Sequence, residues 1–156
     1  PIHSFEFFDV TNVIMWHVLG MFVPSFFTGW LIKRYGDINI ITIGALISGA
    51  SILVNLNGDS LMHLRVAMAL VGLGWNFMFT GGTTLLLQTY TPAEKAKVQG
   101  VNDFFVFGTV AVVSLLAGGT YQTVGWNAVN LAAVPLLVAV LISVTWLRGR
   151  RVVTIA

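Results

Sequence analysis

The sequence predicts an all-α protein, a polytopic membrane helix bundle with five transmembrane helices. Three observations carry that expectation. Hydrophobic residues make up 56% of the chain and charged ones 9%. A soluble domain carries about 25% charged residues, so this chain lacks the means to wet an ordinary surface. The few charges are also segregated, with none in Val10–Ile32, Ile38–Gly58, Val66–Ala93 or Phe104–Leu147. About 20 mostly apolar residues cross a bilayer's hydrocarbon core. The first three runs are therefore one span each, and the fourth is two, hinged from Gly118–Gly119–Thr120–Tyr121 through Gly125. Finally, turn and cap residues fall between the runs.

Taken in order, the helices are expected at about 10–32, 39–56, 62–88, 92–118 and 127–147, in one membrane domain over 1–156. The first contains Pro24 in mid-run, read as a kink or a hinge. Tyr35-Gly36-Asp37 makes the turn to the second, with Gly36 suited to end a helix. Asn55-Leu56-Asn57-Gly58-Asp59-Ser60 is a loop of turn formers before the third. Thr91-Pro92-Ala93-Glu94 reads as a capping box, with Thr91 as N-cap, Pro92 at the first helical position and Glu94 closing the box. The fourth helix thus begins in water and enters lipid near Val98. Tyr121 and Trp126 suit an outer interfacial belt and Trp146 an inner one.

Five spans place Lys33, Arg34, Lys95, Lys97, Arg148, Arg150 and Arg151 on one side and only Arg65 on the other. The basic side is cytoplasmic by the positive-inside rule. The expected location is a cell (inner) membrane, with the N-terminus outside and the C-terminus inside. A sequence pI near 9.3 raises the question of nucleic acid, but basic residues scattered at helix ends are not a basic patch. With no cysteine, disulfides and thiolate metal sites are excluded. The chain starts at Pro1 without a basic leader, and it is expected to be a piece of a longer protein.

Polar side chains in lipid turn toward other helices or a watery cavity, because unpaired exposure is costly. The first span carries His17, Met21, Ser25 and Thr28 at near-fourfold steps; the third carries Gly72, Asn76, Thr80 and Thr84 at strict i+4 spacing. The fourth carries Lys95, Gln99 and Asp103 in the same register, with Asn102 adjacent. The second and fifth spans are poorer in polar residues and read as lipid-facing props. His17, Asn76, Thr80, Gln99, Asn102 and Asp103 are therefore the candidates for a substrate or ion pathway. Small residues at this spacing also let helices pack closely, a second reading for Gly44, Ser48, Gly72, Thr80 and Gly81. Asp103 is either a coupling carboxylate or a pairing group near the cytoplasmic mouth. His17 is either a hydrogen-bonded packing residue or part of the path.

Gly29-Trp30-Leu31-Ile32-Lys33-Arg34-Tyr35-Gly36 resembles the loop signature of the major facilitator superfamily. Gly29, Arg34 and Gly36 match it, while Lys33 replaces the usual acid and Asp37 stands where a basic residue usually follows. That departure favours the second half of such a transporter. His17–Gly29, Gly72–Phe77 and Gln99–Phe104 are similar to a bacterial subgroup of uncharacterised facilitators. The resemblance implies that the five spans are helices eight to twelve of twelve, a partial major-facilitator-type half. The first, third and fourth spans would then lie on the cavity side. It also implies a conformational role for the loop residues Gly29, Lys33, Arg34 and Gly36.

The expected function follows as part of a secondary active transporter of a small solute, working by alternating access and coupled to an ion gradient. Gly81-Gly82-Thr83-Thr84 lacks the spacing and lysine of a phosphate-binding loop. The alternative is a non-transporting membrane scaffold or assembly subunit. No enzyme is expected: Asp103 and His17, the one acid and one histidine within spans, fall near opposite ends of their helices. No cofactor, metal or nucleic acid is implied. The partners are the lipid bilayer, a small-molecule solute and the missing N-terminal half of the same transporter.

Overall fold

The computed structural model describes residues 7–58 and 60–155, with side chains described through Arg150; Asp59 of the expected external loop and the Arg151 side chain fall outside this set. All regular structure among the described residues is helical. Helix α1 (Phe7–Phe22) and α2 (Ser25–Tyr35) form a first span bent by 40° at Val23–Pro24. Then come α3 (Asp37–Asn57) and α4 (Leu61–Leu86), a short 3-10 turn (Pro92–Glu94) leading into α5 (Lys95–Thr123), and α6 (Trp126–Ala132) with α7 (Val134–Ile155). Four stretches are long and apolar enough to cross a membrane, and the bent α1–α2 pair makes a fifth. The protein is an all-α membrane bundle.

Local chemistry explains the boundaries. Pro24 has no N–H, so the helix cannot run through it unbroken. Gly36 takes φ 85° between α2 and α3, a backbone state that disfavours a Cβ, and its N–H bonds the Ile32 carbonyl at 2.8 Å. Ser60 caps α4, its hydroxyl accepting from the His63 N–H at 3.3 Å. Before α5, the Glu94 carboxylate accepts from the Thr91 N–H at 3.1 Å and the Thr91 hydroxyl at 2.8 Å. The break before the last span is shorter than expected. Helix α5 runs unbroken through Gly118 and Gly119 to Thr123, and the chain turns only at Gly125, where φ is 100°. Within a helix, paired glycines cost about 1 kcal/mol each but do not force a turn.

Helices α3 and α4 form the centre, α1 lies along α4, and α7 covers α3. Small residues set the central spacing. A Cβ on Gly44 would lie 2.9 Å from the Gly74 carbonyl oxygen, and one on Gly74 would overlap the Ser48 hydroxyl. Gly81 similarly meets Ile41 at 2.7 Å. Ile38, Ile41 and Val144 then fill the space between α3 and α7, joined by Met78, Leu85, Val140 and Leu147. The second span is thus a central packing helix and no peripheral prop. Its scarcity of strongly polar residues hid that role, because close approach is achieved by glycine, alanine and serine. Conversely, α5 has no buried residue, and the only helical elements it contacts among the described residues are the 3-10 turn and α6.

Polar side-chain pairs tie the ends together. Gln88, just past α4, donates to the Asp37 carboxylate at 2.6 Å, and Asp37 also accepts from the Ile38 N–H at 2.7 Å. Arg148 of α7 donates to the Asn39 side-chain oxygen at 2.6 Å. At the other end, the Asn55 amide donates to Asn130 at 3.1 Å, and Asn130 donates to the Trp126 carbonyl at 3.0 Å.

Candidate functional site: the broken first span and its cavity

The polar stripe of the first span turns toward the stripe of α4. His17 Nδ1 lies 3.2 Å from the Met68 carbonyl oxygen. One turn on, the backbones close up: a Cβ on Gly20 would overlap the Ala69 carbonyl, and one on Gly72 would overlap the His17 carbonyl. One further turn brings Asn76 against the break. Its amide donates to the Met21 carbonyl at 2.8 Å and to the Ser25 hydroxyl at 2.6 Å. Its side-chain oxygen accepts from the Thr28 hydroxyl at 2.6 Å. The Ser25 hydroxyl donates to the Met21 carbonyl at 3.0 Å, and the Pro24 carbonyl, 2.8 Å from the Thr28 hydroxyl, is a second acceptor competing for that hydroxyl's single hydrogen. Asn76 and Thr28 are both buried. Every polar atom of Asn76 therefore has a partner on the first span, from both sides of Val23–Pro24.

Beside this seam, a cavity of about 690 Å³ opens between α1 and α4. Trp16, Leu19 and Pro24 form one wall, Val66 and Leu73 the other, with Arg65 near its edge. The Arg65 Nε is buried without a hydrogen-bond partner. The cavity ends at the helix break, so Pro24 serves both as its wall and as the point where the span bends. Chemically it suits an apolar ring: its lining is the Trp16 indole and mostly aliphatic side chains, with Arg65 as its one charged member.

The remaining expected site residues lie apart. Thr80 is half-buried one turn below Asn76, its carbonyl accepting from the Thr84 hydroxyl at 2.8 Å. On α5, Gln99 donates to the Tyr90 hydroxyl at 2.6 Å and Asn102 to the Asp103 carboxylate at 3.2 Å; Asp103 is exposed. Because α5 does not touch α1 or α4, the structure does not bring Gln99, Asn102 or Asp103 to Asn76 or His17. In the loop motif, Gly29 and Lys33 are exposed, and the Arg34 guanidinium lies 5.6 Å from the ring centres of both Trp30 and Tyr35. No cluster of metal-binding side chains occurs among the described residues.

Sequence reading missed Trp16 and Leu19 as cavity walls, since isolated apolar residues in an apolar span carry no signal. It also missed Asn55, whose partner Asn130 is distant in the chain.

Comparison with known proteins agrees with this architecture. Over 129 residues, 83% of this chain, the sequence is 43% identical to the riboflavin transporter RfnT of Brucella anthropi, of which it covers 32%. It is 32% identical over 154 residues to YdeG, an uncharacterised transporter of the major facilitator type from Bacillus subtilis, covering 95% of this chain and 35% of that one. YddS of Bacillus subtilis is 29% identical over 146 residues. The chain thus spans about a third of the length of the curated relatives it matches. No solved structure matches it. The family model described as Major Facilitator Superfamily matches residues 4–155, nearly the whole of these helices, and the chain belongs to that superfamily.

Proposed function

We propose that the chain is part of a secondary active transporter that moves a small solute across a cell (inner) membrane by alternating access, driven by an ion gradient. The observation that carries this reading is the cavity at the break of the first span. Transporters place substrate sites beside discontinuous helices, where the bend frees backbone groups and lets one segment move against another. The solute we assign to the cavity is one with a flat, largely apolar ring system. Its aliphatic and indole walls support this, as does 43% identity to a protein named as a riboflavin transporter. His17, Asn76 and Thr80 would line or support the solute path. Gln99, Asn102 and Asp103 on α5 would serve ion coupling where α5 meets further helices of the full-length protein. The Gly29–Gly36 loop would act in the conformational cycle, on the cytoplasmic side with the C-terminus, the N-terminus being outside.

Uptake of radiolabelled riboflavin into proteoliposomes containing the full-length protein tests the reading. Saturable uptake, driven by an inward proton gradient and competed by lumiflavin but not by ribitol, is expected. Uptake no faster than in protein-free vesicles would remove riboflavin as the solute. Competition by ribitol alone would contradict a ring-binding cavity.

A further inference from the structure

Helix α2 is bounded by a break at each end. At one end stands Val23–Pro24, where proline removes a backbone hydrogen bond; at the other stands Gly36 with φ 85°. The segments beyond both breaks are anchored. Helix α1 is fixed to α4 by the Gly20–Ala69 and Gly72–His17 contacts, where no side chain separates the backbones. The start of α3 is tied to the end of α4 through Gln88 and Asp37. Between these anchors, α2 is a rigid rod of 11 residues whose Phe26, Phe27 and Trp30 are exposed. Its one buried residue is Thr28, and that hydroxyl donates to Asn76.

From this arrangement we infer that α2 is a gate swinging about Val23–Pro24, and that Asn76 is the latch holding it in the observed position. The inference rests on the reading of the cavity as the solute path, because Val23 and Pro24 form part of its wall. Solute pressed against that wall acts on the hinge; Asn76 acts on the same hinge from α4. Each latch bond has a local substitute. On release, the Ser25 hydroxyl keeps the Met21 carbonyl, and the Thr28 hydroxyl turns its single hydrogen to the Pro24 carbonyl 2.8 Å away. Opening therefore leaves neither the Ser25 nor the Thr28 hydroxyl without an acceptor, and only the Asn76 amide must find water. Asn76 is on this account a positioning residue. It sets the angle of α2 and does not itself bind the transported molecule.

The test uses the full-length protein in nanodiscs, in a cysteine-free background. Spin labels at Phe26→Cys and Leu86→Cys report the position of α2 against α4, and labels at Met15→Cys and His63→Cys report α1 against α4. Without solute, Asn76→Ala is expected to shift the α2 distance distribution toward a second population, by about tenfold in population ratio. Thr28→Val is expected to shift it about threefold, on the scale of hydrogen bonds between membrane helices. Thr28→Ser, which retains the hydroxyl, should match wild type, and the α1 pair should not move in any variant. Unshifted α2 distances in both Asn76→Ala and Thr28→Val would overturn the latch, as would equal shifts in both label pairs, which would mean general loosening. Because these measurements need no ligand, they are independent of the solute assignment. If riboflavin leaves wild-type distances unchanged while the latch variants shift, the solute reading fails and the latch stands.

Discussion

The Thr28 hydroxyl donates to the Asn76 side-chain oxygen at 2.6 Å, joining the second half of a broken membrane helix to the neighbouring span. Both residues are buried, and in an apolar surrounding an abandoned polar group is costly. The bond therefore holds α2 where its own backbone cannot, since Pro24 interrupts the helix between α1 and α2.

Close backbone approach at Gly72 makes the first stability prediction. A Cβ there overlaps the His17 carbonyl, whereas one at Gly82 meets nothing within 4 Å. Gly72→Ala should lower the thermal unfolding midpoint of the full-length protein in detergent, corresponding to about 1–3 kcal/mol of overpacking. Gly82→Ala should leave the midpoint near wild type.

The turn at Gly36 makes a second. Its φ of 85° with ψ 152° disfavours any residue with a Cβ, so Gly36→Ala should cost about 1–3 kcal/mol. The neighbouring motif glycine differs: Gly29 has open space around its Cβ direction. If Gly29→Ala lowers transport without lowering the unfolding midpoint, its role lies in the conformational cycle and not in packing.

Helical periodicity reported which face of a span is polar, but not which neighbour that face meets. His17, Ser25 and Thr28 on the first span and Asn76 on the third are spaced to share a face, and in the structure those two faces meet. Lys95, Gln99 and Asp103 show the same spacing on α5, yet they face none of these residues. Charge segregation made the spans legible because lipid excludes charge along a whole helix. The centrality of α3 was not legible, since Gly44 and Ser48 mark a close contact only once Gly74 is opposite them. The Asn55–Asn130 pair was hidden for a related reason: each is a single polar residue with no partner nearby in sequence.

That pair carries a third prediction. The Asn55 amide donates to Asn130 at 3.1 Å between α3 and α6, both side chains being buried. A double-mutant cycle of Asn55→Ala and Asn130→Ala, read from unfolding of the full-length protein, should give a coupling of about 0.6–1.7 kcal/mol. A coupling indistinguishable from zero would mean that the two amides act separately.

Asp103 tests ion coupling. Its carboxylate is exposed on α5, a helix that does not contact α3 or α4. If it carries the coupling charge, Asp103→Asn in the full-length protein should abolish gradient-driven uptake while membrane insertion and solute exchange persist. Uphill uptake equal to wild type would assign coupling to another group.

The central claim is that solute occupies the cavity between α1 and α4, and filling that cavity tests it most directly. Leu19 forms part of its wall, while Leu53 is an exposed residue of α3 outside it. In proteoliposomes of the full-length protein, Leu19→Trp should reduce the initial rate of riboflavin uptake by about tenfold or more, the loss expected when side-chain volume displaces a bound ring. Leu53→Trp should retain the wild-type rate, with both variants inserted to the same level and equally monodisperse. A wild-type rate in the Leu19→Trp protein would contradict the claim and place the solute path elsewhere.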